Sequence, residues 1–118
     1  MTWSPDDGGT AAEAIRNLRE RFGPLLTELR EGWGTDIPSL LIRLRSSAER
    51  RDPQGVAESA HGIAGMAAIL GARRIEALAR DLETRAGEGE TGGEEGRIDA
   101  LTDLVEAFGE LLRRAAED

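Results

Sequence analysis

The chain has no cysteine and a single histidine. Without thiols, disulfides, thiolate nucleophiles and Cys-ligated zinc are excluded. One histidine with no second cluster of ligand residues nearby is poor ground for a metal site. Basic charge is also scarce: 15 basic residues, all arginine, stand against 23 acidic ones, a formal net charge of −8. That balance argues against nucleic acid, whose binding needs a phosphate-neutralising surface, and against an anionic membrane. A partner with a positive rim fits better. No apolar run approaches the roughly 18 residues of a membrane span. The first residues, Met1 to Asp7, lack a basic patch followed by an apolar stretch, so no signal peptide is expected and a cytoplasmic protein is the simplest expectation. No nucleotide-binding glycine loop is present, since Gly62 and Gly65 have no strand before them. Proline is absent after Pro53, and β-branched runs are absent throughout.

What remains is helical periodicity. At 118 residues one domain is expected. Residues 1–9, with Pro5, Gly8, Gly9 and two aspartates, read as a disordered lead, and residues 10–118 as a single helical domain. Thr10-Ala11-Ala12-Glu13 fits a capping box, followed by Ala14, Ile15, Leu18 and Phe22 at helical spacing. Gly23-Pro24 punctuates the chain. From Pro24 to Arg51 the apolar phase carries through Leu25, Leu26, Leu29, Trp33, Ile37, Leu40, Leu41 and Leu44, which favours one long helix with a kink near Gly34 and Pro38 over two separate helices. Asp52-Pro53 gives an aspartate cap and a first-turn proline. The helix that follows runs to about Leu70, where Gly71 suits a left-handed stop. Another spans 72–85, an acidic flexible loop occupies 87–96, and the last helix spans about 97–116. The expected fold is all-α: an antiparallel four-helix bundle with a short leading N-terminal helix.

The histidine lies in Ala60-His61-Gly62-Ile63-Ala64-Gly65-Met66-Ala67-Ala68-Ile69-Leu70-Gly71. Val56, Ala60, Ile63, Ala67 and Leu70 form one apolar stripe. At about 100° per residue, His61 falls roughly 140° from the centre of that stripe, on the polar side. Its helical neighbours Ala57, Ala64, Gly65 and Ala68 are small, and Glu58, one turn back, is a candidate to orient the ring. Two glycines inside a helix cost roughly 2 kcal/mol together. Gly65 would let another protein approach the imidazole, or would serve close packing of a neighbouring helix. An exposed imidazole serves as general base, metal ligand, pH sensor or covalent phosphoryl acceptor, and a merely solvated histidine is the plain alternative.

His61-Gly62-Ile63-Ala64-Gly65, with Gly71 six residues beyond Gly65 and a helix ending Leu78-Ala79-Arg80-Asp81-Leu82-Glu83, resembles the histidine-containing phosphotransfer domain family. The resemblance implies a four-helix bundle in which His61 is the phosphoacceptor, Gly65 gives steric clearance, Ile63 is the buried aliphatic and Gly71 ends the helix. Ala57, Ala64, Gly65 and Ala68 would form a low docking surface. The implied partners are a response-regulator receiver domain or a hybrid sensor histidine kinase. The resemblance implies no intrinsic cofactor, with Mg²⁺ supplied by the receiver, and no autonomous kinase activity. One position departs from the family pattern: its usual lysine falls at Ala64, and no arginine lies one turn from His61. Weaker transfer, a labile phosphohistidine, or docking without transfer would each follow from that loss. The expectation is therefore phosphoryl transfer between His61 and a receiver aspartate, with a noncatalytic docking module as the alternative and a structural bundle with an incidental histidine as the third reading.

Overall fold

A computed structural model describes residues 10–90 and 92–117. The lead 1–9 lies outside the described residues. Five helices follow in order: α1 (Ala11–Phe22), α2 (Leu26–Glu49), α3 (Pro53–Leu70), α4 (Arg73–Gly87) and α5 (Glu95–Ala116), with a 3₁₀ turn at Gly23–Leu25 between the first two. Helices α2 to α5 form a four-helix bundle, α1 lies against α5, and no strand occurs among the described residues. The bundle is antiparallel. Trp33 lies beside Phe108 while Arg45, about three turns further along α2, reaches back to Asp99.

Three of the helix ends have a local cause in the sequence. The Thr10 hydroxyl accepts from the Glu13 N–H, and the Glu13 carboxylate accepts from the Thr10 N–H, a reciprocal capping box. The Asp52 carboxylate accepts from the Gly55 N–H, with Pro53 in the first turn where its missing N–H costs nothing. Gly71 adopts φ 73°, ψ 23°, the left-handed stop that favours glycine. Helix α2 is unbroken through Pro38. The carbonyl deprived of its partner there is that of Gly34, four residues earlier, and both residues are exposed, so water can solvate it.

The core draws on every helix: Leu18, Trp33, Ile37, Leu44, Val56, Ile63, Leu82, Ile98, Leu101 and Phe108 are among its buried members. Trp33 and Phe108 pack with ring centroids 5.1 Å apart and planes tilted by 52°, and the indole N–H donates to the Val105 carbonyl at 3.4 Å. Several boundaries shift by one or two residues from the sequence reading. Helix α4 runs to Gly87 and α5 starts at Glu95, so the acidic loop is shorter than 87–96. It is also tied down: Glu94 is buried and accepts from the Gly92 N–H at 2.7 Å, and Arg85 pairs with Glu90. Leu25, in phase with the core by spacing, is exposed because the 3₁₀ turn breaks the phase before α2 begins. No described helix is long and apolar enough to cross a membrane.

Candidate functional site

Helix α3 packs most extensively on α4 and next on α2. Being flanked on two sides widens its buried arc. Val56, Ser59, Ala60, Ile63, Ala64, Ala67 and Leu70 are all buried, and Glu58, His61, Gly65, Ala68 and Ile69 are exposed. The apolar stripe is thus the core face, as its spacing implies. His61 stands on the open face with 70% of its side chain accessible.

The ring is held from α4. His61 Nδ1 lies 2.9 Å from Glu83 Oε2. A carboxylate can only accept, so Nδ1 carries a proton and donates, and Nε2 is directed away from that contact. The expected orienting residue, Glu58, is not the partner. Its Oε2 accepts from Gln54 Nε2 at 3.2 Å along the same helix face. Glu83 is itself part of an α4 stripe. Arg80 Nε donates to Glu76 Oε2 at 3.0 Å, and Arg80 Nη1 is 3.9 Å from Glu83 Oε1. The stripe therefore puts a guanidinium one residue removed from the imidazole.

The small neighbours of His61 divide. An added Cβ at Gly65 would meet nothing within 4 Å, so intramolecular packing does not explain this glycine and the surface beside the ring is open. Gly62 is different: a Cβ there would lie 3.1 Å from Leu40 Cδ1, so it serves the close approach of α2. Ala68 is exposed, and Ala57 is half-buried and packed on the core. Ala64 corrects the sequence reading. It is 0% exposed and cannot contribute to a docking surface. It sits roughly 80° from the stripe centre at 100° per residue, on the flank that a second neighbouring helix covers.

Sequence reasoning missed Glu83 and Arg80, although a signal was present. Helices α3 and α4 form a hairpin about Ala72. His61 and Glu83 are each eleven residues from it, and Ala64 and Arg80 are each eight. Equal rises of about 1.5 Å per residue bring such pairs to the same level.

This layout of helices, with an exposed imidazole on the second long one, coincides with a family match: the Hpt domain family matches residues 13–111. The chain belongs to the Hpt domain family. Membership carries a general phosphorelay role, and Hpt domains as a class partner receiver and histidine kinase domains. No match was found among curated proteins or solved structures. In this Hpt domain α3 carries no lysine or arginine anywhere between Pro53 and Leu70, so any cation near the imidazole must come from another helix.

Proposed function

We propose that this Hpt domain accepts a phosphoryl group on His61 Nε2 and exchanges it with an aspartate of a response-regulator receiver domain in the cytoplasm. One observation carries the reading: a largely exposed imidazole is fixed through Nδ1 by Glu83, beside the open surface left by Gly65. In the transfer, the Nε2 lone pair forms the N–P bond as the P–O bond to the receiver aspartate breaks, and the aspartate leaves as a carboxylate. Nδ1 keeps its proton, so the ring becomes a phosphorylated imidazolium whose positive charge faces Glu83. That carboxylate stabilises charge that grows as the bond forms and holds the ring in one orientation. The receiver supplies Mg²⁺ and most of the charge stabilisation around the phosphoryl oxygens.

The test is incubation with a phosphorylated receiver domain and Mg²⁺. Wild type is expected to gain an acid-labile, alkali-stable phosphoryl group, and His61→Gln to gain none. Label on His61→Gln would refute the residue assignment. A second reading, docking without transfer, draws support from Ala64, where the family pattern has lysine and this chain has a buried methyl group. Tight receiver binding by wild type with no phosphohistidine, under conditions where another Hpt domain is labelled, would establish that reading instead.

A further inference from the structure

We propose that Arg80 is the charge-compensating residue of the phosphorylated state, supplying from α4 the positive charge that α3 lacks. The inference rests on the reading of His61 as the phosphoacceptor.

Position 64 is closed to a cation: Ala64 is fully buried, and a longer side chain there has to displace what covers it. Across the hairpin, at the same distance from Ala72, stands Arg80. Its Nε is committed to Glu76 at 3.0 Å. Its Nη1 lies 3.9 Å from Glu83 Oε1, beyond hydrogen-bond length. The guanidinium has five N–H donors in a planar fork suited to phosphate oxygens. Its side chain is 47% accessible, so the head group has room to turn.

The need for it comes from Glu83. The carboxylate that holds Nδ1 also places a negative charge beside the ring that receives a phosphoryl group of about two negative charges. Unopposed, Glu83 would stabilise the imidazolium and repel the phosphoryl oxygens together. Arg80 lies against the other oxygen of the same carboxylate and separates these effects. It offsets the field of Glu83 toward the phosphoryl group while leaving the Nδ1–H···Oε2 contact in place. Arg80 thus acts by its charge, as a balancing residue for a bond made at His61.

The experiment measures the equilibrium partition of the phosphoryl group between a receiver domain and His61, and the phosphohistidine half-life, in wild type, Arg80→Met, Arg80→Lys, Glu83→Gln and the Arg80→Met/Glu83→Gln double variant. Circular dichroism and thermal unfolding establish that each is folded. At low ionic strength Arg80→Met is expected to shift the partition away from His61 on the order of tenfold, with a shorter half-life. Salt should shrink the difference as it screens a partly exposed charge. Arg80→Lys should restore most of the loss, and because the fields of the two groups add, the Arg80→Met shift should persist in the Glu83→Gln background. Arg80→Met within twofold of wild type at low salt would overturn the inference and leave the assignment of His61 standing. So would a loss that lysine does not rescue and salt does not change. Failure of folded wild type to take up phosphate at all would overturn both.

Discussion

At the residue scale the site depends on what two small positions do not have. Gly65 and Ala64 are adjacent in the sequence and alike in size, yet one leaves open space beside His61 and the other is sealed under the neighbouring helices. Because nothing inside the molecule needs position 65 empty, Gly65→Leu is expected to leave unfolding stability unchanged or slightly raised, leucine being the better helix former by about 0.8 kcal/mol. It should nonetheless slow phosphoryl uptake from a receiver by tenfold or more by blocking approach to the imidazole. Chemical denaturation alongside a transfer time course separates the two effects, and unimpaired transfer would show that the clearance is not used. The exposed histidine was legible because a single stripe of five apolar residues fixed the phase of α3. Burial of Ala64 was not, because a wheel drawn from one stripe describes a helix with one neighbour, and α3 has two. The orienting carboxylate was sought one turn away at Glu58, where local spacing points, and it comes from Glu83, twenty-two residues on.

At the scale of the element, caps and stops were the most readable features. Thr10 with Glu13, Asp52 with Pro53, and Gly71 each need only a few adjacent residues to act, so their chemistry is written locally. The phase across α2 was readable too: Trp33, Ile37 and Leu44 remain on the core side despite Pro38. The start of α5 was less so, since Glu95 and Gly96 look like the loop they follow. The α1 capping box has a pH signature. Hydrogen bonds from the Thr10 backbone and then its hydroxyl hold the Glu13 carboxyl below its usual range. A depressed folded-state value means that the stabilisation is fully present above the unfolded glutamate pKa, near 4.3. It is lost as pH falls through the lower folded value. The first turn of α1 is therefore expected to fray on acidification below about pH 4, seen as faster amide exchange at Ala14, and Glu13→Gln should flatten that dependence. Identical pH profiles in the two proteins would mean that the box does not control the fraying.

At the scale of the whole molecule, the all-α bundle followed from periodicity and short links, whereas the contacts that lock its ends did not. Arg19 is the example. Its Nε donates to the Ala115 carbonyl at 3.1 Å, and its Nη2 reaches the carbonyls of Arg114 at 3.3 Å and Glu117 at 3.1 Å. One side chain near the start of the chain thus satisfies backbone acceptors that the end of α5 leaves without helical partners. A pair 96 residues apart leaves no trace in local spacing. Arg19→Ala is expected to cost about 1–2 kcal/mol in chemical denaturation and to raise amide exchange through α1. The rate of phosphoryl uptake should stay at the wild-type value, since this end of the bundle is remote in sequence and helix pairing from the His61–Glu83 contact. A slowed uptake in a stably folded variant would contradict that separation.

The hairpin between α3 and α4 behaves as a ruler. Gly71 and Ala72 alone join the two helices, so the residues opposite His61 are set by counting. One residue inserted at that joint would turn everything after it by about 100° and advance it about 1.5 Å along the axis. Glu83 and Arg80 would then leave the imidazole, and by the same turn Ile75, Ala79 and Leu82 would leave the core. Alignment of the proton-holding carboxylate and packing of the bundle are one measurement made twice. A length change at this joint that moved Glu83 and Arg80 from the imidazole would unseat core residues of the same helix, which couples the register of the site to the packing of the bundle.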